Sequence, residues 1–313
     1  MTLVELVGMY ISHKRTLGHR FQTEEAVLKA FCRVVGDSPL ANIEAETVLV
    51  FLNGTGRVTA YWVKKYRVLS GFYRFALARG FVKSVPLPHS IPELAAPAFV
   101  PYIYSHTELK RLLDAVPAAC AGRVPIDAYV FRALLLLLYG AGLRISEAVS
   151  LNRGDVDLDH TCLIVQGTKF YKSRLVPLGT DLTQVMGNYV GKRHDHHSSA
   201  ADSPFFCFRD GARLSKSAVR SAFRRLRAKA GVVREGGARQ QPRLHDLRHS
   251  AAVHRLVAWY RSGADLDDLL PKLATYLGHV NLAATQHYLT MTPDLLHEAS
   301  LRFERYAMEN DHD

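Results

Sequence analysis

Five local features in the 313-residue chain carry side chains able to act on an anionic ester. The run Gly140-Ala141-Gly142-Leu143-Arg144-Ile145-Ser146-Glu147 sets an arginine just after a double-glycine turn, where a helix starts with Ile145, Ala148 and Val149 facing a core. A guanidinium held there suits bidentate contact with a phosphate; taken alone it equally fits an arginine that caps a turn. The run Thr168 to Arg174 sets Lys169, Lys172 and Arg174 on a short turn between two apolar runs. Such a turn suits entry into a nucleic-acid groove, and equally suits lysines that blunt a sheet edge. In Leu244-His245-Asp246-Leu247-Arg248-His249, His245 and Arg248 sit three apart and share a helix face, pairing a proton-handling group with a fixed cation. His245 and His249, at i,i+4, also have the spacing of two metal ligands, but the glutamate expected beside the first is missing and no third ligand stands out. His279, in Leu277-Gly278-His279, and Tyr288 lie nine residues apart, one at a helix end and one inside the next helix. Singly, each is an ordinary structural residue; His287, beside Tyr288, points to another face.

These side chains need elements to hold them. The runs 161–166 and 173–178 are short and apolar or β-branched and flank the lysine-bearing turn, predicting a β-hairpin. Helical spacing predicts helices over 2–17, 23–36, 44–53, 58–79, 127–139, 144–151, 215–230, 245–260, 265–277, 281–289 and 293–307. Ser105 and Glu108 form a capping-box pattern that opens a helix through about 116. The segment 127–139 is apolar nearly all round and reads as a buried central helix. The expected fold is therefore mainly α with a small antiparallel β-sheet (α+β). Over 58–79, Val58, Trp62, Leu69, Phe72, Tyr73 and Ala76 form an apolar stripe. Between Arg57 and Lys83 there are seven basic residues and no acid. Cations on a rigid helix suit phosphate contacts, which nominates Lys64, Lys65, Arg67 and Arg74 as DNA-binding residues. Residues 84–101 carry prolines at 86, 88, 92, 97 and 101, which stiffen the chain and mark a domain boundary.

Bulk properties agree with a polyanionic partner. The formal charge is +11, with 48% hydrophobic residues, enough for packed cores. Cysteines 32, 120, 162 and 207 are scattered without a CxxC pair, so neither a disulfide framework nor a zinc ribbon is expected. The first residues are interrupted by Glu5, His13, Lys14 and Arg15, unlike a secretory signal, and the run 133–138 is far short of the ~20 residues that cross a bilayer. A cytoplasmic protein without membrane contact is expected. The polar patch at 194–197 reads as a surface loop.

In order and spacing, GAGLRISE, a lysine-bearing hairpin ending RLVPL, HDLRH, LGH and Tyr288 together resemble the tyrosine recombinase (phage integrase) family over about 140 to 290. The wording TKFYKSRLVPL and LLPKLATYLGH is similar to integrases of transposons and other mobile elements. The resemblance implies a helical core-binding domain over 1–85, a proline-rich linker over 86–103, and a catalytic domain over 104–313 that ends in an exchange helix. It implies an enzyme that cuts and rejoins duplex DNA at specific sites through a 3′-phosphotyrosine. Tyr288 would be the nucleophile, Arg144 and Arg248 the arginines on the scissile phosphate, and Lys169 the acid for the leaving 5′ oxygen. His245 and His279 would be the family's two histidines, with Lys172 and Arg174 on the DNA beside them. The family works as a tetramer on two DNA sites, so a homotetramer or a mixed recombinase tetramer is implied. The 34 residues between His245 and His279 exceed the spacing of short family members, with the extra residues around 259–271.

Physical chemistry is consistent with these roles. A phosphodiester repels nucleophiles, and fixed guanidiniums neutralise charge as it builds. A phenol with pKa near ~10 needs a proton acceptor, a role open to His245. With three cations in place no metal or other cofactor is required. Competing readings are a type IB topoisomerase, a non-catalytic DNA-binding protein, and a metal hydrolase using His245 and His249. The filling of all six catalytic positions argues against decay. The stretch 293–307, with Leu295, Leu296, Ala299 and Phe303 near one side, either folds on its own core or docks into a neighbouring subunit.

Overall fold

The computed structural model describes residues 1–55, 58–93, 100–122, 124–166, 173–194, 198–237, 240–279, 283–286, 288, 295, 297, 298, 300 and 301. The chain divides into two compact units, Met1–Phe99 and Val100–Asp313.

In the first unit, α1 (Leu3–Thr16), α2 (Gln22–Val35), α3 (Ala45–Asn53) and α4 (Ala60–Ala78) follow the predicted helices within two residues. α1 starts on a capping box: the Glu5 amide donates to the Thr2 hydroxyl and the Thr2 amide to the Glu5 carboxylate. α4 supplies the largest share of the core, burying Trp62, Val68, Leu69, Phe72, Tyr73, Phe75 and Ala76 against α1 and α2. Val58, expected in that stripe, precedes the helix and is exposed, because Thr59 caps the helix one residue later.

The second unit is built around α7 (Ala128–Gly140), which buries Val130, Phe131, Ala133, Leu134, Leu135, Leu137 and Leu138. Before it come α5 (His106–Asp114), opened by the Ser105–Glu108 capping box, and the short α6 (Val116–Ala119). After it come α8 (Ile145–Ser150) and an antiparallel sheet of β1 (Val156–Asp157), β2 (Cys162–Val165) and β3 (Arg174–Pro177) in the order β1-β2-β3. Leu163 pairs with Val176, and both are fully buried, which fixes the register by putting one sheet face on the core. α9 (Thr180–His194) has no counterpart among the sequence expectations. Its two glycines, Gly187 and Gly191, thin out the helical pattern, and only tertiary burial of Met186 and Tyr189 reveals its inner face.

The remaining helices are α10 (Lys216–Lys229), α11 (Asp246–Arg261), α12 (Leu266–Leu277) and α13 (Ala283–Gln286). The long stretch between His245 and His279 is thus two full helices, and α12 tolerates Pro271 inside its second turn. Among the described residues α13 stops at Gln286, and Tyr288 just beyond it has 3-10 helical backbone. Most of 293–307 and the patch at 195–197 lie outside the described residues. No helix among the described residues is long and apolar enough to cross a membrane. The fold is mainly α with a small three-stranded antiparallel sheet.

Phe131 is completely buried on the central helix. Phe131→Ala is expected to cost about 3–5 kcal/mol, read as a lower midpoint in denaturant unfolding.

Candidate active site

The site forms around the carboxyl end of α12, where helix geometry leaves carbonyls without intrahelical partners. Two of these are closed locally: Ala274 O accepts from the His279 amide at 2.9 Å and Thr275 O from the Gly278 amide at 3.0 Å. The next three are each taken by a different arginine. Arg174 Nε donates to Tyr276 O at 3.1 Å, Arg248 Nη2 to Leu277 O at 2.5 Å, and Arg144 Nη2 to Gly278 O at 2.9 Å. The negative end of the helix dipole favours this clustering of cations. Gly278 holds the left-handed turn at φ +68°, and a side chain there would put a Cβ 2.8 Å from the Arg174 guanidinium.

Two further anchors fix the arginines. Arg248, nearly fully buried, also donates from Nη1 to Gly142 O at 2.6 Å. Gly142 has φ +58°, a left-handed conformation that favours glycine, and a Cβ there would lie 2.8 Å from Leu277 Cδ2. Glu147 binds both neighbouring arginines: Arg144 Nη1 at 2.8 Å, and Arg174 through Nη1 at 3.1 Å and Nη2 at 3.0 Å. Burial pushes the Glu147 carboxyl up, but Arg174 and the Arg144 backbone and side chain outweigh it and hold the pKa at about 2. Burial and the Arg144 charge lower Arg248 to about 10, so it stays cationic at neutral pH.

Tyr288 is 3% exposed and packs among histidines. Its hydroxyl lies 3.2 Å from His249 Nδ1, and its ring stacks on His279 with centroids 5.9 Å apart. His279 Nδ1 meets the hydroxyl of the fully buried Thr285 at 2.7 Å. His245 lies edge-on to His249, with ring centroids 4.9 Å apart. Burial, His245 and nearby arginines push His249 down to about 4, and burial with Arg248, Arg144 and Arg174 does the same to His279. Burial raises the Tyr288 phenol, and Arg248 and Arg144 oppose that rise. The buried Asp246 accepts from the Arg243 amide at 2.7 Å, pinning the start of the helix that carries Arg248 and His249, with His245 at its N-cap.

The fold therefore brings Arg144, Arg248, His245, His279 and Tyr288 together. Lys169 and Lys172 lie outside the described residues. Arg174 departs from the expectation of a DNA-facing side chain: it points inward, because Glu147 and Tyr276 O satisfy its guanidinium. In the first unit, Lys65 departs likewise. Its ammonium caps α3 through Phe51 O at 2.6 Å and Leu52 O at 3.1 Å and lies over the Phe51 ring. Lys64 and Arg67 line a cleft of about 540 Å³ with Lys14 and His19, and Arg74 is exposed. Sequence reasoning gave no role to Glu147 or Thr285 and saw His249 only as half of a metal pair. The i,i+3 spacing of Arg144 and Glu147 was a usable signal; the partnership of His249 with Tyr288, 39 residues away, had none. Among the described residues no group of three or more His, Cys, Asp or Glu side chains is arranged to hold a metal.

Glu147→Gln leaves two guanidiniums partly uncompensated. A loss of about 3–5 kcal/mol in denaturant unfolding is expected, as for breaking a buried ion pair from one side. The buried histidines make a second expectation. Both titrate near pH 4 when folded against an ordinary 6.5. The unfolded chain therefore takes up these protons first, and stability present above pH 6.5 is lost as pH falls toward 4. His279→Gln should flatten that slope in unfolding curves recorded across the window; an unchanged slope would refute the assignment.

Comparison with known proteins agrees with this geometry. The phage integrase family model matches residues 104–294. The putative integrase/recombinase y4rB of Sinorhizobium fredii is 34% identical over 308 residues, covering 97% of this chain and 98% of the relative. Among solved structures, the Tn1549 transposon integrase in complex with transposon right end DNA has a TM-score of 0.71 at 17% identity, covering 98% of this chain and 100% of that one. A lambda integrase tetramer bound to a Holliday junction has a TM-score of 0.63 at 20% identity, covering 90% and 78%. At these identities the two structures establish likeness of fold. With its matched family model, its full-length relative and its arginine-ringed tyrosine, the chain belongs to the phage integrase family.

Proposed function

We propose that the chain is a site-specific tyrosine recombinase that cleaves and rejoins duplex DNA through a 3′-phosphotyrosine on Tyr288. The observation that carries the reading is the gathering of Arg144 and Arg248, anchored on consecutive carbonyls at the end of α12, close enough to the buried Tyr288 phenol to lower its pKa. Their fixed positive charge stabilises the pentavalent phosphorane as its charge grows, with little reorganisation. The Tyr288 oxygen attacks phosphorus, the bond to the 5′ oxygen breaks, and Lys169 delivers a proton to that oxygen. The phosphotyrosine conserves the bond energy, so a second 5′ hydroxyl can rejoin the strand without a nucleotide cofactor. His245 and His279 complete the polar wall of the site.

Lys64, Arg67 and Arg74 of α4 contact the phosphate backbone, as does Lys172. The enzyme acts as a tetramer on two DNA sites within the cytoplasm. Support for assembly is the fold likeness to the lambda integrase captured as a tetramer on a Holliday junction. The likeness to y4rB and to a transposon integrase supports a role in moving a mobile element.

The test uses duplexes spanning the borders of the genomic segment that encodes the chain. Wild type is expected to leave a denaturation-resistant protein–DNA adduct, also in EDTA, while Tyr288→Phe leaves none and Arg248→Ala reduces the yield about 10²–10³-fold. An adduct that persists in Tyr288→Phe would overturn the reading.

A further inference from the structure

We infer that the cleft of the first unit receives one unstacked nucleotide of a DNA strand, and that it favours a base carrying an exocyclic amino group. The strand as the source of that nucleotide rests on the recombinase reading; the nucleotide site stands on the geometry of the cleft. The cleft has a volume of about 540 Å³, inside the roughly 300–1,000 Å³ of small-molecule sites. Its lining comes from α1, α2, α4 and the α1–α2 turn, all within the first unit.

Three kinds of side chain meet there. Lys14, Lys64 and Arg67 supply positive charge, and none of them forms an ion pair among the described residues. Tyr10, Phe21 and Val63 supply an apolar and largely aromatic lining. The Phe21 ring meets Tyr10 edge-on with centroids 5.5 Å apart. Phe21 also holds a left-handed backbone at φ +46°, a costly conformation for a bulky residue, and the packing on Tyr10 helps to hold it there. The third kind is one carboxylate, Glu24. Its neighbour Glu25 is paired with Arg15 and Lys29, whereas Glu24 forms no ion pair among the described residues.

This combination selects a ligand. A surface for phosphates alone needs only cations, and a carboxylate within it weakens binding. Beside an aromatic lining, a carboxylate suits the edge of a base: it accepts from the amino group of cytosine or adenine and repels the carbonyl oxygen of thymine. The cations then hold the phosphate of the same nucleotide, and the rings take the face of its base. In a paired duplex the base faces are covered by their neighbours, so the lining is open only to a nucleotide out of the stack. A strand that leaves one complement to join another passes through unpaired nucleotides, so the proposed reaction itself produces this ligand.

The test is calorimetric titration of the full chain with dCMP, TMP, inorganic phosphate and the tetranucleotides d(CCCC) and d(TTTT). The cytosine ligands are expected to bind about tenfold more tightly than the thymine ligands, and dCMP at least about tenfold more tightly than phosphate. Glu24→Gln should shrink the preference for cytosine to below about twofold, since its amide also donates. Lys64→Ala should weaken both bases alike and leave the preference intact, which places the binding in this cleft rather than at Tyr288. Equal affinity for dCMP, TMP and phosphate, or a preference that survives Glu24→Gln, would overturn the inference and leave the cleft a phosphate contact. The tetranucleotide d(CCCC) is expected to bind more tightly than dCMP; the reverse order would overturn the strand as the source and make the site one for a free nucleotide. Titration involves no strand cleavage, so its failure leaves the Tyr288 adduct test standing, and failure of the adduct test leaves the nucleotide site standing.

Discussion

Three consecutive carbonyls at the end of α12 each receive one arginine, and the rest of the site hangs on that arrangement. Tyr276, Leu277 and Gly278 are bound by Arg174, Arg248 and Arg144, which come from β3, α11 and the start of α8. A hydrogen bond to a charged donor contributes about 1.5–3 kcal/mol. Three of them at one helix end, with the dipole behind them, offset much of the repulsion of clustered guanidiniums. The arrangement also sets direction. Each guanidinium spends one or two donors on fixed carbonyls, so its plane cannot swing and its remaining N–H groups are aimed before any substrate arrives.

Charge balance in the site is deliberately incomplete. Glu147 offsets part of the positive charge through Arg144 and Arg174, but it does not touch Arg248. Burial keeps His249 and His279 neutral, so they add polarity without adding charge. What is left is a buried surplus of positive charge next to a phenol. A phosphodiester is the kind of group such a charge surplus stabilises, since it brings the missing anion. The same surplus draws the phenol's pKa down while burial pushes it up, and burial prevails, so the phenol stays protonated until an acceptor takes its hydrogen.

The first unit shows how a basic composition overstates a binding surface. Lys65 belongs to the same run of cations as Lys64 and Arg67, yet its ammonium closes the end of α3 and lies over aromatic rings. Lys64 and Arg67, one and two residues from it, open onto the cleft shared with Lys14. Residues adjacent on a helix point in directions about 100° apart, so charge counted along the chain is divided between structural and outward-facing uses.

The sequence by itself determined the helices with strong apolar periodicity, the hairpin, and the order of Arg144, His245, Arg248, His279 and Tyr288, because those signals are local or reside in the wording of short motifs. It did not reveal α9, whose glycines weaken the pattern, nor the inward turn of Arg174 and Lys65, whose partners lie 27 and 13 or 14 residues away. The tertiary structure alone decided which histidine meets Tyr288. His245 and His249 sit one helical turn apart and carry the same side chain. Only the packing of a segment 39 residues downstream brings the phenol to His249. Local spacing specifies the face of a helix; which neighbour on that face finds a partner is fixed by how distant elements bury one another.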